Sequence, residues 1–217
     1  MESISPLRQL CHEQKNLLSL ILASIQLIER SHPEVQTFPH WQEIQADLHQ
    51  MNELLLRTGL LEGPVRPQFR EVLVSDFFAS LYRNCLPWFE QSQKHLYYST
   101  DISPASTFRT DPVLLKQALI NLIRNAWEAL EENGTVWLRL SGQMNELLFS
   151  IKDNGNGMEP EILHEISRPF FSTKASGTGL GFPYARRICD ALHVSLSLQS
   201  VPSLGTTVTL SIKYHSA

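Results

Sequence analysis

The sequence is poor in cysteine and has no long uninterrupted apolar run. Its three cysteines, Cys11, Cys85 and Cys189, form neither a CxxC pair nor a zinc pattern with histidine, which favours a reducing, cytoplasmic location. The longest apolar stretch, residues 17–28, is broken by two serines and a glutamine, and the N-terminus lacks a signal peptide. We therefore expect no membrane insertion, and we interpret Cys11 as a small, half-buried core residue rather than a redox or metal ligand.

A strong charge of either sign is also absent. Charged residues make up 18% of the chain, and the formal net charge is -4. Such a chain exerts no long-range attraction on a polyanion, so nucleic acid is not an expected partner and any phosphate binding must be local. The 42% of hydrophobic residues is an ordinary globular content, and it predicts a packed core.

The first sixty residues predict a helical hairpin. From about Pro6 to Arg30 there is no glycine or internal proline, and apolar residues recur at helical spacing. Pro33 and Pro39 interrupt this pattern, and a second helical period runs from Trp41 to about Leu61. A lone hairpin cannot bury the broad apolar faces of both helices, so we expect two chains to form a four-helix bundle.

The segment from Glu62 to Pro67 contains a glycine and two prolines, and we place a domain boundary there, between residues 1–63 and 64–217. Beyond it, strand-like and helical runs alternate. Their order predicts an α+β fold, with a mixed, mostly antiparallel sheet covered by helices on one face. The predicted strands are Phe69 to Val74, His95 to Thr100, Thr135 to Ser141, Leu147 to Asp153, Val194 to Gln199 and Thr206 to Lys213. One predicted helix ends near Glu90, and two others span Asp111 to Glu132 and Leu180 to Leu192.

Two glycine-rich segments are candidates for contact with a ligand. At Asp153 to Gly157 a carboxylate ends an apolar strand, and two glycines follow at alternate positions, which lets backbone approach a flat ligand; a tight turn is the alternative. Gly177 to Gly181 stands directly before a helical run, where exposed N–H groups favour an anion; a flexible connector is the alternative. Neither segment is an EF-hand, Walker or Rossmann motif.

A third candidate lies on the predicted helix that starts near Asp111. Asn121 and Asn125 are four residues apart, so they project from the same face of the helix. Two amide oxygens on one face can help to hold Mg²⁺ against phosphate oxygens, although a pair of surface or capping amides has the same spacing.

Together these segments resemble the ATP-binding domain of histidine kinases, part of the gyrase, chaperone, kinase and mismatch-repair ATPase superfamily. The resemblance implies a Bergerat-type α/β sandwich. Five motifs occur in the family's order: the N box at Asn121 to Ala126, the first glycine box at Asp153 to Gly157, the F box at Arg168 to Lys174, the second glycine box at Gly177 to Gly181, and the final glycine motif at Gly205 to Thr207.

The resemblance implies roles for these motifs. Asp153 would hydrogen-bond the adenine amino group, Asn121 and Asn125 would serve Mg²⁺ and the phosphates, and Lys174 would reach the phosphates. The segment from Met158 to Gly177 would be the mobile ATP lid. The residues implied in binding ATP are Asn121, Asn125, Asp153, Gly155, Gly157, Lys174, Gly177, Thr178, Gly179, Leu180, Gly181 and Thr206.

Two positions in the N box refine the interpretation. Many family members carry Lys or Arg where this chain has Glu128, and the Asn-Ala-x-Glu-Ala form resembles the nitrogen-regulation subgroup. Hydrolytic relatives carry a water-activating Glu where this chain has Asn121, and an amide cannot take the proton. Water is therefore not the expected nucleophile.

The segment from Cys11 to Leu17 resembles the H box, the family's His-Glu-x-x-Asn motif. At about 100° per residue, His12 lies about 160° from Leu10, so it faces away from the apolar stripe. A lone histidine is more often structural, but this outward position favours a nucleophile, and its free pKa of roughly 6.5 leaves the imidazole largely neutral at neutral pH. The resemblance implies that Glu13 fixes its tautomer and that Asn16 positions water for dephosphorylating a partner.

These features predict an ATP-dependent protein-histidine kinase that phosphorylates His12 and passes the group to an aspartate of a response regulator receiver domain. The expected form is a cytoplasmic homodimer. Only eleven residues precede His12, so we expect either an excised core or a signal from a separate sensor protein. The alternatives are a non-catalytic phosphotransfer scaffold with a vestigial nucleotide domain, or a sigma-factor-binding serine kinase, which would lack the hairpin.

Overall fold

The computed structural model describes residues 6–48, 51, 65–103, 106–143, 146–174 and 178–213. The chain divides into two compact units, Met1–Pro64 and Val65–Ala217. The predicted boundary between residues 63 and 64 lies outside the described residues.

The first unit contains two helical segments where the sequence predicts them. Helix α1 spans Pro6–Ser31, a short 3-10 helix spans Pro33–Thr37, and α2 is helical at 41–48 and at 51. The remainder of the second predicted helix lies outside the described residues. Among the described helices, none is long and apolar enough to cross a membrane.

In the described part of this unit, a carboxylate on α1 contacts α2. Glu29 on α1 accepts hydrogen bonds at Oε1 from Trp41 Nε1 at 3.0 Å and from Gln45 Nε2 at 2.6 Å. Both donors lie on α2, so this contact sets how the two helices meet beside the connecting turn.

The apolar stripe of α1 is largely open to solvent in the single chain. Leu17 is 61% exposed, Ile21 48% and Ile28 41%, although the sequence pattern assigns all three to the inward face. The chain by itself therefore leaves this stripe uncovered, and burying it would remove apolar surface from water.

The second unit carries seven strands and four helices in its described part. They are β1 Arg70–Leu73, α3 Val74–Glu90, β2 His95–Thr100, β3 Thr107–Thr110, α4 Pro112–Ala129, β4 Thr135–Gln143, β5 Glu146–Asp153, α5 Pro160–Glu165, α6 Gly181–Ala191, β6 Ser195–Val201 and β7 Gly205–Lys213.

Five of these strands form one sheet in the order β2-β4-β5-β7-β6. The β2–β4 pair is parallel and the other three pairs are antiparallel. Side chains on β5 alternate in burial, and its buried face packs under α3, where Phe77 and Phe78 lie 6.0 Å from Phe149 between ring centroids. The opposite face carries exposed side chains such as Trp137 and Lys152. The predicted α+β fold with a mixed sheet is confirmed.

Three local features differ from the prediction. Strand β1 pairs with β3, which the sequence did not predict, in a separate two-stranded sheet. Helix α5 lies in the segment that the resemblance assigns to the mobile ATP lid, where no helix was predicted. Helix α4 ends at Ala129 instead of Glu132, because Leu130 already has an extended backbone and Asn133 turns with a positive φ of 62°.

Helix α4 is the element that positions the site. Asp111 caps its start, accepting hydrogen bonds at Oδ1 from Val113 N at 3.0 Å and Leu114 N at 3.1 Å, and Pro112 occupies the first turn. Its apolar face is buried, and Asn121 lies within that buried face at 7% exposure. The cap and the core contacts therefore hold the helix that carries both predicted amides.

The two described cysteines are core residues. Cys85 and Cys189 are free and fully buried, and burial raises the pKa of each thiol to about 12. Both stay protonated and have no thiolate character at neutral pH. The side chain of Cys11 lies outside the described residues.

Candidate functional site

Asn121 and Asn125 lie against the first residue of α6. A Cβ on Gly181 would lie 3.2 Å from Asn125 Oδ1 and 3.8 Å from Asn121 Oδ1. Asn121 Nδ2 donates to Gln117 O at 2.8 Å, so its oxygen is the end that faces Gly181. Glycine at 181 therefore keeps the space between the amides and the helix start free of a side chain.

The start of α6 is braced against α4 and offers its first N–H groups. Tyr184 Oη donates to Gln117 Oε1 at 2.9 Å, which links the two helices one turn from the amides. The first N–H groups of a helix have no partner within it and carry a partial positive charge. Leu180, directly before the helix, is buried, and Thr178 is half-buried.

The second glycine box is in direct contact with the F box. Gly179 has a φ of +63°, and a Cβ there would lie 2.5 Å from Phe171 O. Phe170 N donates to Gly179 O at 3.1 Å. This close backbone contact requires glycine, and it joins the F box directly to the second glycine box.

Asp153 ends β5 as a nearly buried carboxylate. Asp153 is only 3% exposed, and its Oδ1 accepts hydrogen bonds from Gly155 N at 2.9 Å and Thr206 N at 3.2 Å. Among the described residues, none donates to Oδ2. Desolvation by burial raises the pKa of this carboxyl above its ordinary value, while the two backbone hydrogen bonds and the charge of Lys174 act in the opposite direction.

The glycines around Asp153 pack against the protein's own backbone. A Cβ would lie 2.4 Å from Ala129 O at Gly155, 2.0 Å from Val201 O at Gly157, and 2.0 Å from Asp153 O at Gly205. The sequence-based reason for Gly155 and Gly157, close approach to a flat ligand, is thus incomplete. These glycines allow three chain segments to meet and to enclose the carboxylate.

Substituting Gly205 by alanine is expected to destabilise the fold strongly. The new methyl group would lie 2.0 Å from a backbone oxygen, and Gly205 has a φ of +102°, so the residue would be both crowded and strained. We expect a loss of about 3 kcal/mol or more in the free energy of unfolding, measured by denaturant titration. Gly181→Ala is the control, because its methyl group meets only amide side-chain atoms; an equal loss in both variants would contradict this account.

Lys174 forms an ion pair across the site. Its Nζ lies 2.8 Å from Glu128 Oε2 on α4, and Arg124 Nε lies 3.2 Å from Glu128 Oε1. A turn fixes the backbone of Lys174, since Lys174 N donates to Ser172 Oγ at 3.1 Å. Sequence reasoning singled out Glu128 as a departure from the common motif, but nothing in the one-dimensional pattern indicated its partner.

The structure thus brings together most of the residues that the sequence assigns to ATP. The amides of α4 meet the start of α6, Asp153 meets Thr206, and Lys174 reaches α4. Gly177 lies outside the described residues. His12, Glu13 and Asn16 are on helix α1, but their side chains also lie outside the described part of the chain, so the contacts predicted for them stay predictions.

Comparison with known proteins identifies the family of this arrangement. The model of the histidine kinase-, DNA gyrase B- and HSP90-like ATPases matches residues 110–216. Sporulation kinase C of Bacillus subtilis (strain 168) is 28% identical over 201 residues, which cover 91% of this chain and 46% of the relative. The chain belongs to the sensor histidine kinase family. It spans less than half the length of that relative and about a third of the length of two other curated kinases that it matches.

Solved histidine kinases share the fold. The catalytic domain of histidine kinase ThkA is 25% identical, with a TM-score of 0.61 over 67% of this chain and 95% of that domain. ThkA in complex with the response regulator protein TrrA aligns over 95% of this chain and 60% of that one, with a TM-score of 0.67 and 20% identity. The second alignment extends over both units of this chain.

Proposed function

We propose that this chain is an ATP-dependent protein-histidine kinase that phosphorylates His12 and transfers the phosphoryl group to an aspartate of a response regulator. The observation that carries the ATP-binding part is Asp153. Its Oδ1 is held by two backbone N–H groups, and its Oδ2 has no donor among the described residues. A buried carboxylate oxygen in this state suits the amino group of adenine, which is a donor.

The phosphates would lie between the amides of α4 and the start of α6. A helix start favours an anion, and Gly181 leaves room for one beside Asn121 and Asn125. The amide oxygens of the two asparagines are hard donors of the type that Mg²⁺ prefers, and they would hold it there. When bound, Mg²⁺ neutralises part of the phosphate charge.

The chemistry would take place at the imidazole of His12. The Nε2 lone pair of the neutral ring attacks the γ-phosphorus, a P–N bond forms, the P–O bond to ADP breaks, and ADP leaves. Glu13 would accept a hydrogen bond from Nδ1–H and thereby hold the tautomer that leaves Nε2 free. Asn121 stands in place of a general base and cannot activate water, so the site favours transfer to the histidine over hydrolysis.

The proposal includes a homodimer and a response regulator partner. Leu17, Ile21 and Ile28 on α1 are exposed in the single chain, which supports a second copy that covers them in a four-helix bundle. ThkA, which shares the fold, has been solved with a response regulator. On the phosphorylated partner, Asn16 would position the water that removes the phosphoryl group. The Asn-Ala-x-Glu-Ala form of the N box supports placing the chain in the nitrogen-regulation subgroup.

The test is to incubate the protein with Mg²⁺ and γ-labelled ATP and to examine the stability of any bound label. We expect label that is lost in acid and retained in alkali, as for phosphohistidine. Label that survives acid would reject a histidine acceptor. Nucleotide binding without any label would support the alternative of a non-catalytic phosphotransfer scaffold.

A further inference from the structure

The ion pair between Lys174 and Glu128 connects the F box to the helix of the N box. Lys174 is 38% exposed and Glu128 33%, and 46 residues separate them in the chain. Glu128 lies three residues after Asn125, so it is on the same face of α4 as the two amides. An acidic side chain therefore stands beside the place where we propose that phosphates bind.

Both oxygens of Glu128 are engaged by cations in the described structure. Arg124 contacts Oε1 at 3.2 Å, and Lys174 contacts Oε2 at 2.8 Å. Lys174 also lies close enough to Asp153 for its charge to lower the pKa of that carboxyl. The ammonium group of Lys174 thus acts electrostatically on Asp153, where we propose that adenine binds, while it pairs with Glu128 near the proposed phosphate position.

An ammonium group has a limited number of close partners, and a terminal phosphate carries more negative charge than a carboxylate. If Lys174 turns to a bound triphosphate, its contact with Glu128 weakens, because two anions repel each other at one ammonium group. Glu128 keeps its contact with Arg124. The ion pair between Lys174 and Glu128 is partly exposed, so breaking it costs little free energy. A diphosphate lacks the terminal phosphate and therefore attracts the ammonium group of Lys174 less strongly.

We propose that Glu128 competes with the terminal phosphate of the nucleotide for Lys174 and so lowers the preference of this site for ATP over ADP. The inference rests on the proposed function, since it deepens the same site. Glu128 acts on the nucleotide through Lys174 and is a specificity-determining residue, not a catalytic one.

The test is a double-mutant cycle on nucleotide affinity. Dissociation constants for AMPPNP and for ADP, each with Mg²⁺, are measured by calorimetry for the unmodified chain, Glu128→Gln, Lys174→Gln and the double variant. Glutamine keeps the size of Glu128 and an oxygen for Arg124, but it removes the charge that attracts Lys174. We expect Glu128→Gln to tighten AMPPNP binding about two- to fivefold, the range that an exposed ion pair allows, with a smaller effect on ADP.

In the Lys174→Gln background the same substitution should give no gain, because the competition no longer exists. Asp101→Asn is the control: it removes one carboxylate from an exposed residue outside all the nucleotide motifs, where Asp101 pairs with Arg139 at 3.7 Å, and it should leave the ratio of the two affinities unchanged.

Three results would overturn the inference: weaker AMPPNP binding in Glu128→Gln, unchanged binding, or an equal gain with and without Lys174. Weaker binding would mean that Glu128 supports the bound state, as a metal ligand or by holding Lys174 in place. If the unmodified chain binds neither nucleotide, the proposed function fails and the inference fails with it. Binding by the unmodified chain with any of the three results refutes the inference alone. Thermal unfolding of each variant verifies that it is folded.

Discussion

Replacing His12 by glutamine is expected to abolish the incorporation of phosphate from γ-labelled ATP. The amide nitrogen of glutamine has a delocalised lone pair and cannot attack phosphorus, so the expected loss is complete rather than partial. Because residue 12 belongs to the first unit and the proposed nucleotide site to the second, ATP affinity should remain within about twofold of that of the unmodified chain. Both quantities are measured on the same preparation, by autoradiography after alkaline transfer and by calorimetry with AMPPNP.

The matched control for this substitution is His32→Gln. His32 lies in the same unit, directly after α1; its side chain is 63% exposed and pairs with Glu34 at 3.0 Å. It should retain full labelling. Label that persists in His12→Gln, or that disappears equally in His32→Gln, would show that another residue accepts the phosphoryl group or that the label depends only on an intact hairpin.

Substituting Asp153 by asparagine is expected to weaken ATP binding by about ten- to a hundredfold, the worth of a hydrogen bond to a charged group. The reason lies in the two N–H groups that hold Oδ1. An asparagine satisfies Gly155 N and Thr206 N only by turning its oxygen toward them, and its Nδ2 then faces the ligand. A donor would meet the amino group of adenine, which is itself a donor. Affinity is measured by calorimetry with AMPPNP and Mg²⁺.

The same substitution should not destabilise the nucleotide-free protein at neutral pH. The pKa of Asp153 is raised by burial, so this group stabilises the folded state while it is protonated, below the pKa of the unfolded chain. That contribution is lost as pH rises through the higher pKa of the folded state. At pH 7 an ionised Asp153 carries the desolvation cost of its burial, and a neutral amide avoids that cost.

We therefore expect the melting temperature of Asp153→Asn at pH 7 to equal or exceed that of the unmodified chain. Asp101→Asn is the control: it removes the same charge from an exposed residue that pairs with Arg139 at 3.7 Å, and it should change neither affinity nor stability. Unchanged ATP affinity in Asp153→Asn would refute the role proposed for Asp153, and a large fall in melting temperature would refute the account of its charge.

The sequence predicted most elements of the second unit because their signals are local. A short apolar run marks β5, and Asp111 followed by Pro112 marks the start of α4. Strand β3 was missed because its four residues carry little periodicity and depend on pairing with β1, more than thirty residues earlier in the chain. Long-range pairing of this kind leaves no mark in a short window of sequence.

In the candidate site, too, local patterns were predicted from the sequence and long-range contacts were not. Motif spacing predicted Asn121, Asn125 and Asp153, and the structure supplies partners for the two outer members of this set in Gln117 and Thr206. The spacing did not predict that Gly155 and Gly157 pack against the protein's own backbone, since that depends on where α4 and β6 end. The motif spacing also did not predict the ion pair between Glu128 and Lys174, because the two residues are 46 positions apart in the chain.

The backbone contact between Gly205 and Asp153 makes the two ends of the proposed nucleotide site physically unlike. At the adenine end, three chain segments pack closely around the carboxylate of Asp153, which two backbone N–H groups hold in place. At the opposite end, the ion pair of Lys174 and Glu128 remains partly in water, where dissolved ions weaken its attraction. The affinity of a compound that binds only at the adenine end should therefore depend less on ionic strength than the binding of the phosphate tail.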